Sequence, residues 1–248
     1  MDEVLGTFQE FGVPLIEQSY GSRIYKRRWL GPLGVTVQAD NKMRSGELHV
    51  RIPGEACDQL GLENLVAVST LLNLDATRVD AAVDGAPFKP AHLQAARRAG
   101  MIRTHAQTGH FIIGDEGDTF YLGSRNSDMQ LRCYDMRGPT RVELQLRRGV
   151  AKNFLAALFA SGVDDLPKLA LGAIRGFVDF VDSGSGSNIT RCALLPFWDS
   201  FVGLFAKIRL ATRKPPPSVE RSLQYLRKQA AMLVTYVQAL HARGTEPF

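Results

Sequence analysis

The chain lacks the features that would mark it for a membrane or an oxidising compartment. No apolar run approaches the roughly 18 residues of a membrane-spanning helix. The opening stretch, MDEVLGTFQEFG, is acidic and has none of the basic-then-apolar layout of a secretory leader. Cysteine is scarce: Cys57, Cys133 and Cys192 make an odd number with no CxxC or other ligand spacing. Reduced, mostly buried thiols in a cytoplasmic setting are therefore expected. No internal repeat at a solenoid period is visible. What remains is a soluble-type composition over 248 residues, long enough for a sizeable core, with a formal net charge of +5. That charge is compatible with a nucleic-acid partner and does not require one.

The patterning divides the chain into a sheet-rich stretch over 20–147, a helical stretch over 150–210, and a terminal piece over 211–248. The first two make one domain, 1–210. Within it, 22–29 interleaves Arg23, Lys26, Arg27 and Arg28 with Tyr25 and Trp29. Aromatic faces could stack on bases while the cations hold phosphates; equally, this is a sheet-edge strand with a solvated charged face. Residues 34–39 and 47–52 read as a hairpin with His49 on its polar side. Residues 55–73 carry helical periodicity, and 76–84 (ATRVDAAVD) alternates, placing Arg78, Asp80, Ala82 and Asp84 on one side. Residues 90–99 form a short helix, and 150–160, 166–181 and 195–210 read as helices, with 182–187 a loop or lid. After Lys214-Pro215-Pro216-Pro217, apolar residues spaced 4-3-4-3-4-3 from Val219 to Leu240 make a heptad seam. Such a helix docks on its own domain or zips a homodimer.

The chain is organised around 119–147, TFYLGSRNSDMQLRCYDMRGPTRVELQLR. Three strands are expected, Thr119–Leu122, Met129–Asp135 and Thr140–Arg147, the last two joined by a tight reversal. Strict alternation places Val142, Leu144 and Leu146 on one side and Arg141, Glu143, Gln145 and Arg147 on the other. Pairing across the reversal puts Tyr134 opposite Arg141 and Arg132 opposite Glu143, and facing residues share a side of the sheet. The polar side thus gathers a phenol, arginines and a carboxylate, with Asp80, Asp84 and His49 projecting from other strands. Carboxylates and an imidazole suit a hard divalent ion such as Mg²⁺ or Mn²⁺. A tyrosine beside such an ion can attack a phosphodiester if its proton is removed. The plain alternative is a half-buried structural tyrosine on a face of ordinary cross-strand ion pairs.

These residues resemble the replication initiation factor family: Rep_trans-type rolling-circle plasmid initiators, filamentous-phage initiators and related MobT relaxases. The family pattern Y-x-G-S-R-x-S is met by Tyr121, Gly123, Ser124, Arg125 and Ser127. The following R-x-Y-D/N is met by Arg132, Tyr134 and Asp135, and R-x-E-x-x-x-R by Arg141, Glu143 and Arg147. Upstream, ATRVDAAVD and GELHVRIPGEACDQL resemble further family segments, so the similarity runs over roughly 20–205 in order. The resemblance implies an α+β fold, a mostly antiparallel sheet with one polar catalytic face packed by helices, plus a helical C-terminal region. It also implies a DNA nickase that stays linked to the 5′ phosphate through Tyr134. Arg132 would assist, Glu143, Asp80, Asp84 and His49 would be the metal-ligand candidates, and Arg125, Ser124, Arg141 and Arg147 the DNA contacts. The implied cofactor is Mg²⁺ or Mn²⁺, and the implied partners are origin DNA, single-stranded at the nick, and a host helicase. Met136 stands where the family usually has lysine, and the family's usual first strand and an N-terminal helix-turn-helix are not evident. Two rival readings follow: a DNA-binding regulator without turnover, and a MobT-like mobilisation relaxase.

Overall fold

Alternation in the first fifty residues closes a small sheet, and alternation after residue 76 closes a larger one. The computed structural model describes residues 1–210 except 136, 137, 187, 204, 206 and 209, all within one compact unit, Met1–Ala211. The Pro-rich connector, the heptad helix and the dimer it would form fall outside the described residues.

Helix α1 (Asp2–Glu10) precedes strands β1 (Ile16–Glu17), β2 (Tyr25–Leu30), β3 (Thr36–Asn41) and β4 (His49–Arg51), which form a four-stranded sheet in that order. All of its pairings are antiparallel. Helices α2 (Gly54–Leu60) and α3 (Leu62–Leu71) follow. A single helix was expected over 55–73. Gly61, at φ 76° and ψ 151°, breaks it into two, a backbone conformation that glycine adopts without steric cost. Trp29 and Val37 of the sheet and Val35 just before β3 pack with Phe8 of α1, Leu60 of α2 and Val68 of α3 into one apolar cluster.

The second sheet holds β5 (Arg78–Ala86), β7 (Gly109–Ile112), β8 (Thr119–Leu122), β9 (Met129–Asp135) and β10 (Thr140–Arg147). Its order is β5-β10-β9-β8-β7, antiparallel at every step. The three strands expected in the central stretch form with those boundaries. Tyr134 lies opposite Arg141 and Arg132 opposite Glu143. One face is apolar throughout: Ala81, Phe120, Leu122, Leu131, Cys133, Val142, Leu144 and Leu146 are buried. Helices α4 (Pro90–Arg98), α5 (Arg148–Ser161), α6 (Leu166–Phe177) and α7 (Pro196–Val202) contribute Leu93, Phe154, Ile174 and Trp198 to the same core. Burying a large aliphatic or aromatic side chain is worth about 1.5–3 kcal/mol, so this shared core ties the helices to one side of the sheet.

The expected helix over 166–181 ends at Phe177. Val178 turns extended, and β11 (Val178–Phe180) pairs with β6 (Ile102–Thr104). Its Asp179 is fully buried and accepts from Arg103 Nη2 at 2.6 Å, from Trp198 Nε1 at 3.3 Å and from Lys207. The helix expected over 195–210 is seven residues long, Pro196–Val202. No helix among the described residues is long and apolar enough to cross a membrane.

Candidate active site

The second face of the five-stranded sheet is arranged in cross-strand rows, because residues paired in an antiparallel ladder point the same way. One row runs Ile112, Thr119, Tyr134, Arg141, Asp84; the next runs His110, Tyr121, Arg132, Glu143, Ala82. Below them lie Gln130, Gln145 and Asp80, and then Arg147 with Arg78. Tyr134 is therefore a near neighbour of Arg132, Glu143 and Arg141 because of register alone.

Glu143 is the centre of this constellation and is buried, only 5% exposed. Arg132 Nη2 donates to both its oxygens, at 2.6 and 2.7 Å. Tyr134 Oη–H donates to Oε2 at 3.3 Å. The Arg132 guanidinium also lies 5.5 Å from the Tyr134 ring centroid, within cation–π range, and its buried Nε has no partner. Burial works against the Arg132 charge, yet the hydrogen bonds and charge of Glu143 hold its pKa above the ordinary value. Burial and the Glu143 charge push the Tyr134 phenol up, outweighing the opposing Arg141 hydrogen bond and the Arg141 and Arg132 charges. The phenol is a neutral hydrogen-bond donor in the free protein.

The other acidic groups are also held by arginine. Arg141 forks onto Asp84, Nε to Oδ1 at 2.5 Å and Nη2 to Oδ2 at 2.7 Å, and this hydrogen bond keeps the Asp84 carboxyl below its usual range. Arg78 forks onto Asp80 at 2.8 and 2.5 Å, and Gln145 Nε2 reaches Asp80 Oδ2 at 3.4 Å. Between Asp80 and Asp84, facing Glu143, is the exposed methyl of Ala82. Asp135, adjacent to Tyr134 in the chain, points the other way. It accepts from Lys89 Nζ at 3.0 Å and Thr140 Oγ1 at 2.8 Å, which secures the end of the hairpin.

The 123–128 turn is built by its own side chains. Ser127 Oγ contacts the carbonyls of Ser124 and Met129, and Asn126 N–H donates to Ser124 Oγ. Gly123 sits at φ 94°, where a Cβ would meet the Met129 carbonyl at 2.9 Å, so the motif needs glycine here. Arg147 Nη1 donates to the Ser127 carbonyl at 3.1 Å and so braces the turn, while Ser124 and Arg125 stay exposed.

With this geometry in view, comparison with known proteins is decisive on family. A family model described as Replication initiation factor matches residues 75–246. The chain belongs to the replication initiation factor family. The match to this family takes in the five-stranded sheet and begins after β1–β4, so the expected similarity from residue 20 is not part of it. A structure titled as the rolling circle replication initiator protein from Geobacillus stearothermophilus has a similar fold: TM-score 0.65, 23% identity, 84% of this chain and 89% of that one covered. No curated protein matches significantly.

Not every expected residue joins the site. His49 lies in the four-stranded sheet, opposite Gln38, with its ring 6.0 Å from that of Tyr25 and its buried Nδ1 unpartnered. Side-chain parity placed it on a polar face but could not say which sheet that face belonged to. The aromatics of the basic stretch turn inward: Tyr25 is 7% and Trp29 2% exposed. Arg27 lies 4.6 Å over the Trp29 ring and pairs with Glu17 at 2.8 Å, whereas Arg23 and Lys26 remain exposed. The sheet-edge reading of this stretch therefore describes its aromatics. Met136 is outside the described residues.

Among the described residues no three His, Cys, Asp or Glu side chains gather as a ready-made metal cluster. The donor chemistry still fits a hard ion of the kind that takes one or two carboxylates and completes its shell with water and phosphate oxygens. Glu143, with Asp80 diagonal to it across β10 and β5, offers such a pair. Sequence reasoning missed Tyr121 and His110 as members of this face and did not join Arg78 to it. The alternation of 76–84 already contained Arg78; the missing link was the pairing of β5 with β10, which are more than fifty residues apart.

Proposed function

We propose that this protein initiates rolling-circle replication of a plasmid or phage by nicking one DNA strand at an origin and later rejoining strand ends. The observation that carries the reading is Tyr134, held by register between two arginines with its phenol directed at a buried carboxylate. In the nicking step Tyr134 Oη attacks the phosphorus of a phosphodiester, forming Oη–P and breaking the bond from phosphorus to the 3′ oxygen. The electron pair leaves on that oxygen, which takes up a proton, and the products are a 5′-phosphotyrosine and a free 3′ hydroxyl. Joining is the reverse attack by a 3′ hydroxyl.

The phenol proton passes to Glu143 Oε2, its acceptor in the free protein. Such general-base assistance contributes typically 10²–10⁴-fold. Arg132 and Arg141, released from their carboxylates by an incoming phosphate, are suited to the negative charge that grows on its oxygens. Glu143 and Asp80 would hold a divalent Mg²⁺ or Mn²⁺, which supplies Lewis-acid neutralisation of the same charge. The exposed Ser124–Arg125 turn and Arg147 are placed to position the backbone, with origin DNA as the partner and a host helicase to follow.

The test is incubation of end-labelled single-stranded origin fragments with the protein and Mn²⁺, followed by denaturing electrophoresis. A covalent band from the fragment 3′ of the nick, absent in Tyr134→Phe, is the expected result. DNA retention without any such band would favour a regulator that binds without cutting.

A further inference from the structure

The face bearing Tyr134 is not uniform across its width. Its β5–β10–β9 half carries the arginines and carboxylates described above. Its β8–β7 half carries none of these on the two rows: the residues are Tyr121 and Thr119 on β8, His110 and Ile112 on β7. The His110 and Tyr121 rings are stacked, centroids 4.5 Å apart and planes 12° from parallel. Tyr121 is in turn directly opposite Arg132. β7 is an edge strand, so no further strand of this sheet covers the row beyond His110, which is exposed. Ile112, in the same row as Tyr134, is 47% exposed, and the adjoining Ile113 is 81% exposed.

An aromatic pair with His110 exposed and Tyr121 half-buried, beside exposed isoleucines and one strand from the arginines, is the division of labour that single-stranded nucleic acid requires. Cations track the phosphates, and aromatic and apolar surfaces take the bases. Strands are about 4.8 Å apart, so the aromatic strip and the arginines are within the reach of one nucleotide chain lying across the face. The Gly109 backbone holds β7 close: a Cβ there would stand 2.9 Å from the Tyr121 carbonyl and 3.0 Å from Arg97 Nε.

We infer that His110 and Tyr121, with Ile112 beside them, form a base-stacking subsite for a nucleotide flanking the scissile phosphate. It rests on the nicking reading and adds to it a second lane, in which an unpaired base is stacked on the His110–Tyr121 pair while its phosphates run along Arg132 and Arg141. The subsite reads an unstacked base and so selects single-stranded over duplex DNA at the nick. His110 and Tyr121 are positioning residues here, since neither is among the groups that exchange bonds or protons.

The experiment uses the full chain and the single-stranded fragment on which the Tyr134 adduct forms, with 2-aminopurine placed in turn at each nucleotide flanking the nick. Fluorescence is read in the Tyr134→Phe background, where cutting does not intervene. Stacking should quench the probe at one or two adjacent positions. His110→Ala should remove that quench and raise Kd about tenfold, within the range expected of a base–aromatic contact. His110→Phe should restore both, which a merely structural role would not. In the nicking-competent protein, His110→Ala should raise KM with little change in kcat. Wild-type adduct formation combined with a quench pattern indifferent to His110 and to Tyr121→Leu would overturn the subsite and leave the nicking reading standing. Failure of the wild type to form any adduct would overturn the nicking reading, and the inference with it.

Discussion

The two sheets of this protein start from the same kind of sequence and use it in opposite ways. Both have a tyrosine among cations, and both are wholly antiparallel. In the four-stranded sheet Tyr25 and Trp29 enter the core, leaving Lys26 and Arg23 to solvent. In the five-stranded sheet the helices take the aliphatic side, so Tyr134 and Tyr121 stay on the face with the arginines. A tyrosine in a basic strand is therefore a core residue or a member of the polar face depending on which side the helices cover. That choice is made by tertiary packing rather than by the strand itself.

The comparison breaks most visibly at Glu143. Glu143→Gln should lower the nicking rate at least about a hundredfold while single-stranded DNA is still retained, as measured by adduct formation beside a binding assay. The pH dependence sharpens it. With Glu143 accepting the proton, the wild-type rate should not depend on prior ionisation of the phenol. In Glu143→Gln the residual rate should climb with pH toward the ordinary phenol range of about 10, because ionisation of Tyr134 must then precede attack. The variant also lacks the Glu143 charge that helps hold the phenol up in the wild type. Parallel profiles in the two proteins would remove Glu143 from the proton transfer.

In the other sheet the expected loss is of stability. Trp29→Ala should cost about 3–5 kcal/mol in denaturant unfolding and leave the base-dependent quench at His110 intact at temperatures where the protein is folded. The layer beneath the five-stranded sheet is probed by Asp179→Asn, expected to cost about 3 kcal/mol. Burial opposes ionisation of Asp179, but Lys207, Arg103 and Trp198 outweigh it and hold the carboxyl below its usual range. Its contribution is thus complete above the unfolded pKa of about 3.9 and lost as pH falls through the lower folded value. The difference between wild type and Asp179→Asn should be constant above about pH 5 and shrink below about pH 4. The smallest effect belongs to Arg27→Ala: the Arg27–Glu17 pair is nearly half exposed on both sides. Stability should stay close to that of the wild type, and a clear loss would mean that the stacking on Trp29 dominates.

The central hairpins were legible to the residue because their strands are adjacent in sequence, joined by short turns and alternate without exception. Register then follows from the turn, and with it the company of Tyr134. The pairing of β5 with β10 was not legible, since alternation gives each strand two faces but no neighbour. His49 went astray for the same reason. The end of α6 was hidden by composition: residues 166–181 are apolar enough for either a helix or a buried strand, and only Asp179, a lone carboxylate among Val178, Phe180 and Val181, hinted that a cation would have to meet it there. Asp80, Asp84 and Glu143 were legible as carboxylates of a polar face, and Arg132 as the residue opposite Glu143, but not the arginines that hold the two aspartates.

Ala82 has a use that follows from its position between the two aspartates and opposite Glu143. Of the three native cysteines, Cys133 and Cys192 are buried and Cys57 is half-buried; burial pushes the Cys133 and Cys57 thiols up. A thiol introduced by Ala82→Cys would thus be the most accessible in the described part of the chain. A small fluorescent or paramagnetic tag there would stand in the middle of the polar face. Its signal would report the arrival of a DNA strand in real time, in a protein that need not turn over.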